Sequence, residues 1–333
     1  LLQALAPRRL AVFRALQLGD MLCAVPALRA LRAALPGAHI TLIGLPWARG
    51  FVSRFARYVD AHLAFPGHAG LPEQRPDEAA FASFVAETRE RRFDLVVQMH
   101  GDGRITNGIV RRLGVKASAG FASAADDAWC PFPARGPEIR RLLGLATHLG
   151  APARGEALEF PLSERDELEL RAFARLRGIP LAPCVCLHPG ARALERRWPA
   201  AQFARVGDAL HTRFGLPIVL TGSEAEAPLT GAVARAMTAP ACDAAGPISI
   251  GALAAQLARA RLVVTNDTGV SHVAAALGVP SVVIFMASDP ERWAPLDRVR
   301  HRAVCDPAGA RPGEVLAQAE QLLGSPTRAP APA

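Results

Sequence analysis

Apolar positions alternate along the chain between short continuous runs and stretches of 3–4 spacing, and this alternation predicts strand after helix from the first residues onward. The first run, Arg9–Phe13, reads as a strand, and Arg14–Asp20 reads as a loop. A helix is predicted over Met21–Leu35, stopped by Pro36-Gly37, followed by a strand over His39–Gly44 and a helix near Trp47–Tyr58. Phe65–Pro76, rich in Gly, Pro and His, reads as a long loop of a kind usually tied to function. Further on, a helix over Asp77–Arg92 leads into a buried strand, Phe93–Val97, and the polar loop Gln98–Arg104. A strand around Val115–Phe121 and a helix over Glu138–Leu149 complete the first half.

The second half repeats the alternation after a linker, Gly150–Pro161. Strands are expected at Pro183–Leu187, Pro217–Leu220, near Cys242, Leu262–Thr265 and Ser281–Phe285. Helices are expected at Ser163–Arg177, Pro199–Phe214, Glu224–Met237, Ile250–Ala260, Gly269–Leu277 and Pro312–Leu323. The expected class is therefore α/β, with two doubly wound, parallel-sheet, Rossmann-like domains. The domain reading is 1–160, then 161–324, with a Pro/Ala tail at 325–333 read as disordered. In such sheets ligands bind beyond the carboxyl ends of the strands, so loops that follow strands are where chemistry is sought.

Composition changes this picture little. The 333 residues suit two cores rather than one, and half are hydrophobic with few aromatics. No apolar run reaches the ~18–20 residues of a membrane span. The start, Leu1 to Arg9, carries its charges after the apolar stretch, the reverse of a secretory signal, and the expectation is a cytoplasmic protein. The net charge of +8 is almost wholly arginine, with Lys116 the one lysine. Without an aromatic-interleaved basic stripe or a recognisable module, nucleic acid is not an expected partner. The six cysteines are scattered and form no C-x-x-C pair, so neither zinc nor disulfides are expected. Cys184 and Cys186, two apart in a strand, should share one face.

Candidate chemistry concentrates in three loops of the second half. The run Leu262 to Thr265 enters Asn266-Asp267-Thr268-Gly269 and then a small-residue helix containing His272. Gly269 permits close approach of a ligand, and the free N–H groups of the helix start attract anions. Asp267 or Thr268 could instead simply cap the helix. After the strand Pro183–Leu187 come His188-Pro189-Gly190-Ala191 and then Arg196-Arg197-Trp198-Pro199. The first offers bare backbone N–H groups, and Arg196 can pair with diphosphate oxygens. After Pro217–Leu220, Glu224 and Glu226 could accept ribose hydroxyls or merely favour a helix start.

These loops, in this order, resemble the C-terminal half of glycosyltransferase family 9, the heptosyltransferases of lipopolysaccharide core assembly. Asp267, Thr268, Gly269 and His272 match the family's Asp-Thr/Ser-Gly-x-x-His element, and Ser288-Asp289-Pro290 resembles its Thr-Asp-Pro loop. Arg14 to Asp20, followed by Pro26-Ala27-Leu28, resembles the family's opening signature. The resemblance implies a GT-B fold with two domains facing a central cleft, an inverting mechanism, and no metal or cofactor. It implies a nucleotide diphosphate sugar, ADP-linked, as donor, a lipid-linked glycan as acceptor, and peripheral contact of the protein with the inner-membrane face of a bacterium. It assigns Asp20 as general base, although an Asp in that place is also a common helix cap. Gly19 would allow close approach, and His100 and Arg104 would orient acceptor or donor sugar.

The chain departs from the family pattern at three places. Arg196 stands where Lys is usual, Met286 where Gly is usual, and His100-Gly101 where Gln-Gly is usual. With one lysine in the chain the first is easily accommodated, but Met286 and the His100 loop lie around the sugar and imply a donor or acceptor different from that of the core enzymes. Two other readings are a GT-B sugar-nucleotide epimerase and a non-catalytic nucleotide-sugar-binding partner in polysaccharide assembly. A nicotinamide dehydrogenase or methyltransferase is disfavoured because no Gly-x-Gly-x-x-Gly follows the first strand.

Overall fold

The computed structural model describes residues 1–122 and 128–324. The tail expected at 325–333 lies outside the described residues. The chain divides into two compact units after Ala157.

The first unit holds six strands: β1 (Arg9–Phe13), β2 (His39–Gly44), β3 (Ala61–Ala64), β4 (Leu95–Gln98), β5 (Ala117–Ala122) and β6 (Trp129–Pro131). They form one parallel sheet in the order β3-β2-β1-β4-β5-β6. Leu10 to Phe13 and all of β4 are buried, as continuous apolar runs must be when helices cover both faces of a parallel sheet. Phe13, Phe65, Phe81 and Phe84 build the aromatic part of the core on one face. Helices Val25–Ala34 and Glu138–His148 pack against each other elsewhere in the unit. Arg29 donates to the carbonyls of Arg154 (2.9 Å) and Ala157 (2.6 Å), so the segment that leaves this unit is held to it up to its last residue.

The second unit holds β7 (Cys184–His188), β8 (Ile218–Leu220), β9 (Ala241–Asp243), β10 (Ala260–Asn266), β11 (Ser281–Phe285) and β12 (His301–Cys305). Its sheet is again parallel, in the order β12-β11-β10-β7-β8-β9. Helix Glu164–Arg177 begins with a capping box, in which Ser163 and Asp166 satisfy each other's backbone N–H, and ends at Gly178 with φ of 65°. Cys184 and Cys186 do share a face, with Sγ atoms 3.8 Å apart inside the core. Among the described residues no helix is long and apolar enough to cross a membrane.

Several elements differ from the expected ones. Residues 14–20 are not all loop: a short helix starts at Leu18 and runs to Cys23, and a second covers Val25–Ala34. The break at Ala24 has a local cause, since Pro26 has no N–H to give to the carbonyl four residues back. The expected helix from Glu224 opens as a single 3-10 turn, Glu224–Glu226, before the α-helix Ala227–Ala236. Three strands were not expected: β3, β6 and β12. All lie at or beside sheet edges, where one neighbour suffices and a continuous apolar run is not required.

His301, at the start of β12, is buried, and burial lowers its pKa from 6.5 to about 4. Its Nδ1 lies 2.9 Å from the Ser281 hydroxyl.

Candidate active site

Each sheet carries most of its candidate residues at the carboxyl end of the two strands flanking its reversal of strand order, β1 and β4 in the first and β7 and β10 in the second, with Glu224 and Glu226 following the neighbouring β8. Loops from such neighbouring strands splay apart and leave a crevice for ligand.

In the second unit three loops are tied together by one residue that the sequence reading passed over. Asn266, fully buried at the end of β10, donates from Nδ2 to the Pro189 carbonyl (2.8 Å) and accepts at Oδ1 from the Trp198 N–H (3.0 Å). It therefore fixes the Gly190 loop and the Arg196 turn to the start of helix Gly269–Ala276. Arg197 adds a bond from Nε to the Ala191 carbonyl (2.8 Å). Trp198 is anchored from below by its indole N–H on Asp306 (2.7 Å). The only sequence signal for Asn266 was its place as the last strand residue before Asp267.

The helix start itself is left open. Thr268 is the N-cap, yet its side chain makes no capping bond, and neither does that of Asp267. The simple capping roles considered for these two residues are thus not what the structure shows. The Asp267 carboxylate is buried, accepts from the Ser288 hydroxyl (2.5 Å) and lies 3.5 Å from Nη1 of Arg196. Arg196 is half-exposed and is steered by Asp267 toward the mouth of the helix. His272 is buried on the same helix, its ring 6.5 Å from that of Trp293.

The two glutamates separate. Glu226 is drawn to the Gly190 loop: Ser223 holds its Oε2 through backbone N–H (2.9 Å) and hydroxyl (2.8 Å), while Oε1 lies where a side chain on Gly190 would have to go. Burial pushes its pKa up, but the Ser223 N–H, His188 and Arg197 outweigh this and the net shift is downward. Glu224 is exposed on the turn and is not brought to the other loops. Met286, just past β11, packs its side chain against the core below.

In the first unit Gly19 and Asp20 lie in the first turn of helix Leu18–Cys23, whose N-cap is Gln17, so Asp20 does not cap it. Beneath them sits Arg14, completely buried at the end of β1. Its Nε donates to the Asp20 carbonyl (3.0 Å), Nη1 donates to the Met99 carbonyl, and Nη2 lies 3.1 Å from Glu138 and 3.9 Å from the Asp20 carboxylate. Glu138 in turn lies 3.5 Å from Arg141. Arg14 thus joins four elements in one buried ionic cluster. Its sequence signal was an arginine directly following an apolar strand, which any surface loop could carry.

His100 follows β4 and is stacked on Phe13, with ring centroids 5.6 Å apart. Its Nδ1 accepts from the Ala15 N–H (3.3 Å), so the ring proton sits on Nε2, which points to Glu73 at 3.9 Å. Burial, with the nearby Arg14 charge, lowers its pKa from 6.5 to about 3. Arg104 is instead exposed and paired with Asp102 of its own loop (2.6 Å). It lines a cavity of about 610 Å³ with Asn107, Arg111 and Phe132.

The depressed values of His100 and His301 have a thermodynamic consequence. Between pH 6.5 and the folded-state pKa, the unfolded chain binds protons that the folded chain does not, so stability falls as pH falls through that window. The melting temperature is expected to decline steadily on acidification from pH 6.5 to 4, and to decline less steeply in His100→Gln. An equal slope in the variant would show that His100 titrates alike in the folded and unfolded chain.

A family model for glycosyltransferase family 9 (heptosyltransferase) matches residues 82–314. The chain belongs to glycosyltransferase family 9. It is a glycosyltransferase with the GT-B fold. Lipopolysaccharide heptosyltransferase 2 of Escherichia coli K12 is 26% identical over 295 residues, covering 84% of this chain and 82% of that one. Among solved structures, a family 9 glycosyltransferase from Veillonella parvula matches with a TM-score of 0.78 at 20% identity, covering 95% of this chain and 97% of that one. The E. coli ADP-heptose lipopolysaccharide heptosyltransferase II matches with a TM-score of 0.74 at 20% identity, covering 95% and 98%.

Proposed function

We propose that this family 9 enzyme transfers a heptose or related sugar from an ADP-linked donor to a lipopolysaccharide or other cell-surface glycan, with inversion and without a metal ion. The observation that carries the reading is the uncapped helix start at Gly269, to which Asn266 binds the Gly190 and Arg196 loops. The second unit is the donor-binding one. Free N–H groups of the helix, with Gly190, Ala191 and Arg196, hold the diphosphate, and Thr268 supplies a hydroxyl beside it. Glu226 takes the ribose hydroxyls, a role that suits a carboxylate kept ionised beside His188 and Arg197. Glu224 serves, if at all, from the rim. Asp267 and His272 position this set.

The first unit binds the acceptor, with Gly19 allowing close approach and His100 and Arg104 orienting the sugar. Its Asp20 accepts the proton of the acceptor hydroxyl as that oxygen bonds to the anomeric carbon, and the bond from that carbon to the diphosphate breaks on the opposite side. The leaving diphosphate carries away the electron pair, and Arg196 with the helix N-terminus neutralises it. The ADP-linked donor and the lipid-borne acceptor are supported by the matched relatives, one of which is described as an ADP-heptose enzyme.

Thermal denaturation with ADP, GDP and UDP tests the donor. A ligand at a hundredfold excess over its Kd stabilises by about 2.7 kcal/mol. ADP is expected to raise the melting temperature and the other two not. A shift with UDP or GDP alone would reassign the donor, and no shift with any would sink the reading. In the same assay or by calorimetry, Arg196→Ala is expected to weaken ADP binding roughly ten- to hundredfold, the worth of one charge-assisted contact. Arg196→Lys should retain most of it, and unchanged affinity in the Ala variant would remove Arg196 from the phosphate site.

A further inference from the structure

Helix Glu164–Arg177 of the second unit presents a solvent face whose chemistry nothing above uses. Of ten exposed large hydrophobic residues among the described ones, two (Leu168 and Leu176) lie on this helix and two more (Leu162 and Leu181) flank it. Leu176 is 81% exposed and Leu168 57%. By helical spacing Arg165, Leu168, Arg171, Ala172, Arg175 and Leu176 share one side, opposite the buried Leu170, Phe173 and Ala174.

The acids and the bases of this helix have different fates. Asp166 is consumed in the capping box with Ser163, Glu167 pairs with Arg259 (2.6 Å), and Glu169 binds the Ser249 hydroxyl (2.7 Å). Only Glu164, at the first position, remains exposed among the acids. Arg165, Arg171 and Arg175 are exposed, and none makes a salt bridge or hydrogen bond among the described residues, although the Arg171 charge helps to hold Glu167 ionised one turn away. Arg171 and Arg175 also line a cavity of about 340 Å³ with Ala174, Gly178, Ile179 and Leu181. A helix that turns its acids inward and its arginines outward, around protruding leucines, matches an anionic surface with an apolar layer beneath it.

We propose that this face docks on an anionic phospholipid bilayer, Leu168, Leu176 and Leu181 entering the interface while Arg165, Arg171 and Arg175 meet headgroup phosphates. The cavity between Arg171, Arg175 and Leu181 seats one such headgroup. The inference does not rest on the donor reading, although it would bring the enzyme to a lipid-borne acceptor.

Co-sedimentation of the full chain with vesicles of phosphatidylcholine, with and without phosphatidylglycerol, tests it. Binding is expected only to the phosphatidylglycerol vesicles and should weaken steeply with salt. Arg171→Gln with Arg175→Gln should reduce the partition coefficient roughly thirtyfold. Leu176→Ser should reduce it about tenfold. Arg171→Lys with Arg175→Lys, which keeps the charge, should bind nearly as the parent does. Equal binding to both vesicle types, no binding, or an unchanged Gln variant would overturn the proposal. So would a Leu176→Ser variant that changes the sedimentation coefficient of the free protein but not its partition, because the face would then join copies of the chain. The ADP-induced thermal shift should be the same in all these variants, so failure here is separable from failure of the donor assignment.

Discussion

Asp20→Asn is expected to lower kcat by a factor of about 10²–10⁴ while leaving ADP affinity unchanged. The amide keeps the size and shape of the carboxylate but cannot take the proton of the acceptor hydroxyl. ADP lacks the acceptor hydroxyl on which the base would act, and Asp20 is not among the residues proposed to hold the diphosphate, so ADP affinity should not change. Steady-state kinetics of transfer, with calorimetry for ADP, separate the two quantities. Full turnover in the variant would remove Asp20 as base. A variant chain that supported every cellular phenotype while transferring no sugar would favour a non-catalytic binding partner, and product release without an acceptor would favour an epimerase.

The second large effect falls on stability. Glu138→Gln leaves the buried guanidinium of Arg14 without its close counter-charge, and Arg141 without the carboxylate 3.5 Å away. Breaking a buried pair from one side costs about 3–5 kcal/mol, most of it the penalty of an uncompensated charge. Chemical denaturation should show that loss with an unchanged m-value. Replacing both ends, Arg14→Met with Glu138→Met, should recover part of it, because the Arg14 charge disappears along with its partner while Arg141 stays without its carboxylate. That double variant should still turn over poorly: Arg14 also holds the Asp20 carbonyl and the Met99 carbonyl, so the base loses its support even where the fold does not. A double variant as unstable as the single one would mean that the cluster contributes by shape and not by charge.

Much of the second-unit candidate site was legible because the residues within each of its loops are contiguous. The Asp267-Thr268-Gly269 run, the Gly190 loop and the Arg196 turn each follow a buried strand, and backbone groups at strand ends and helix starts need no long-range information to be recognised. What could not be read was who holds them. Asn266 acts across 77 residues of chain on Pro189 and across 68 on Trp198. Glu224 and Glu226 are two apart and chemically alike, and only the turn geometry sends one to Gly190 and leaves the other in solvent. The first-unit site was less legible still, since its supports, Arg14, Met99, Glu138 and Arg141, come from separate loops and helices.

From periodicity alone, the sequence determined an α/β chain of two parallel-sheet halves; its loop chemistry pointed to a helix start suited to phosphate, and the family resemblance pointed to Asp20 as a candidate base. Short apolar runs with no polar alternation, bounded by turn residues, fit strands covered on both faces, and a helix start with small residues carries its own field, so both are local properties. Strand order, the edge strands β3, β6 and β12, and the buried Arg14 cluster were decided only by tertiary structure. An edge strand is stabilised by its neighbour more than by its own composition, and a buried charge is tolerated only where distant residues converge to neutralise it.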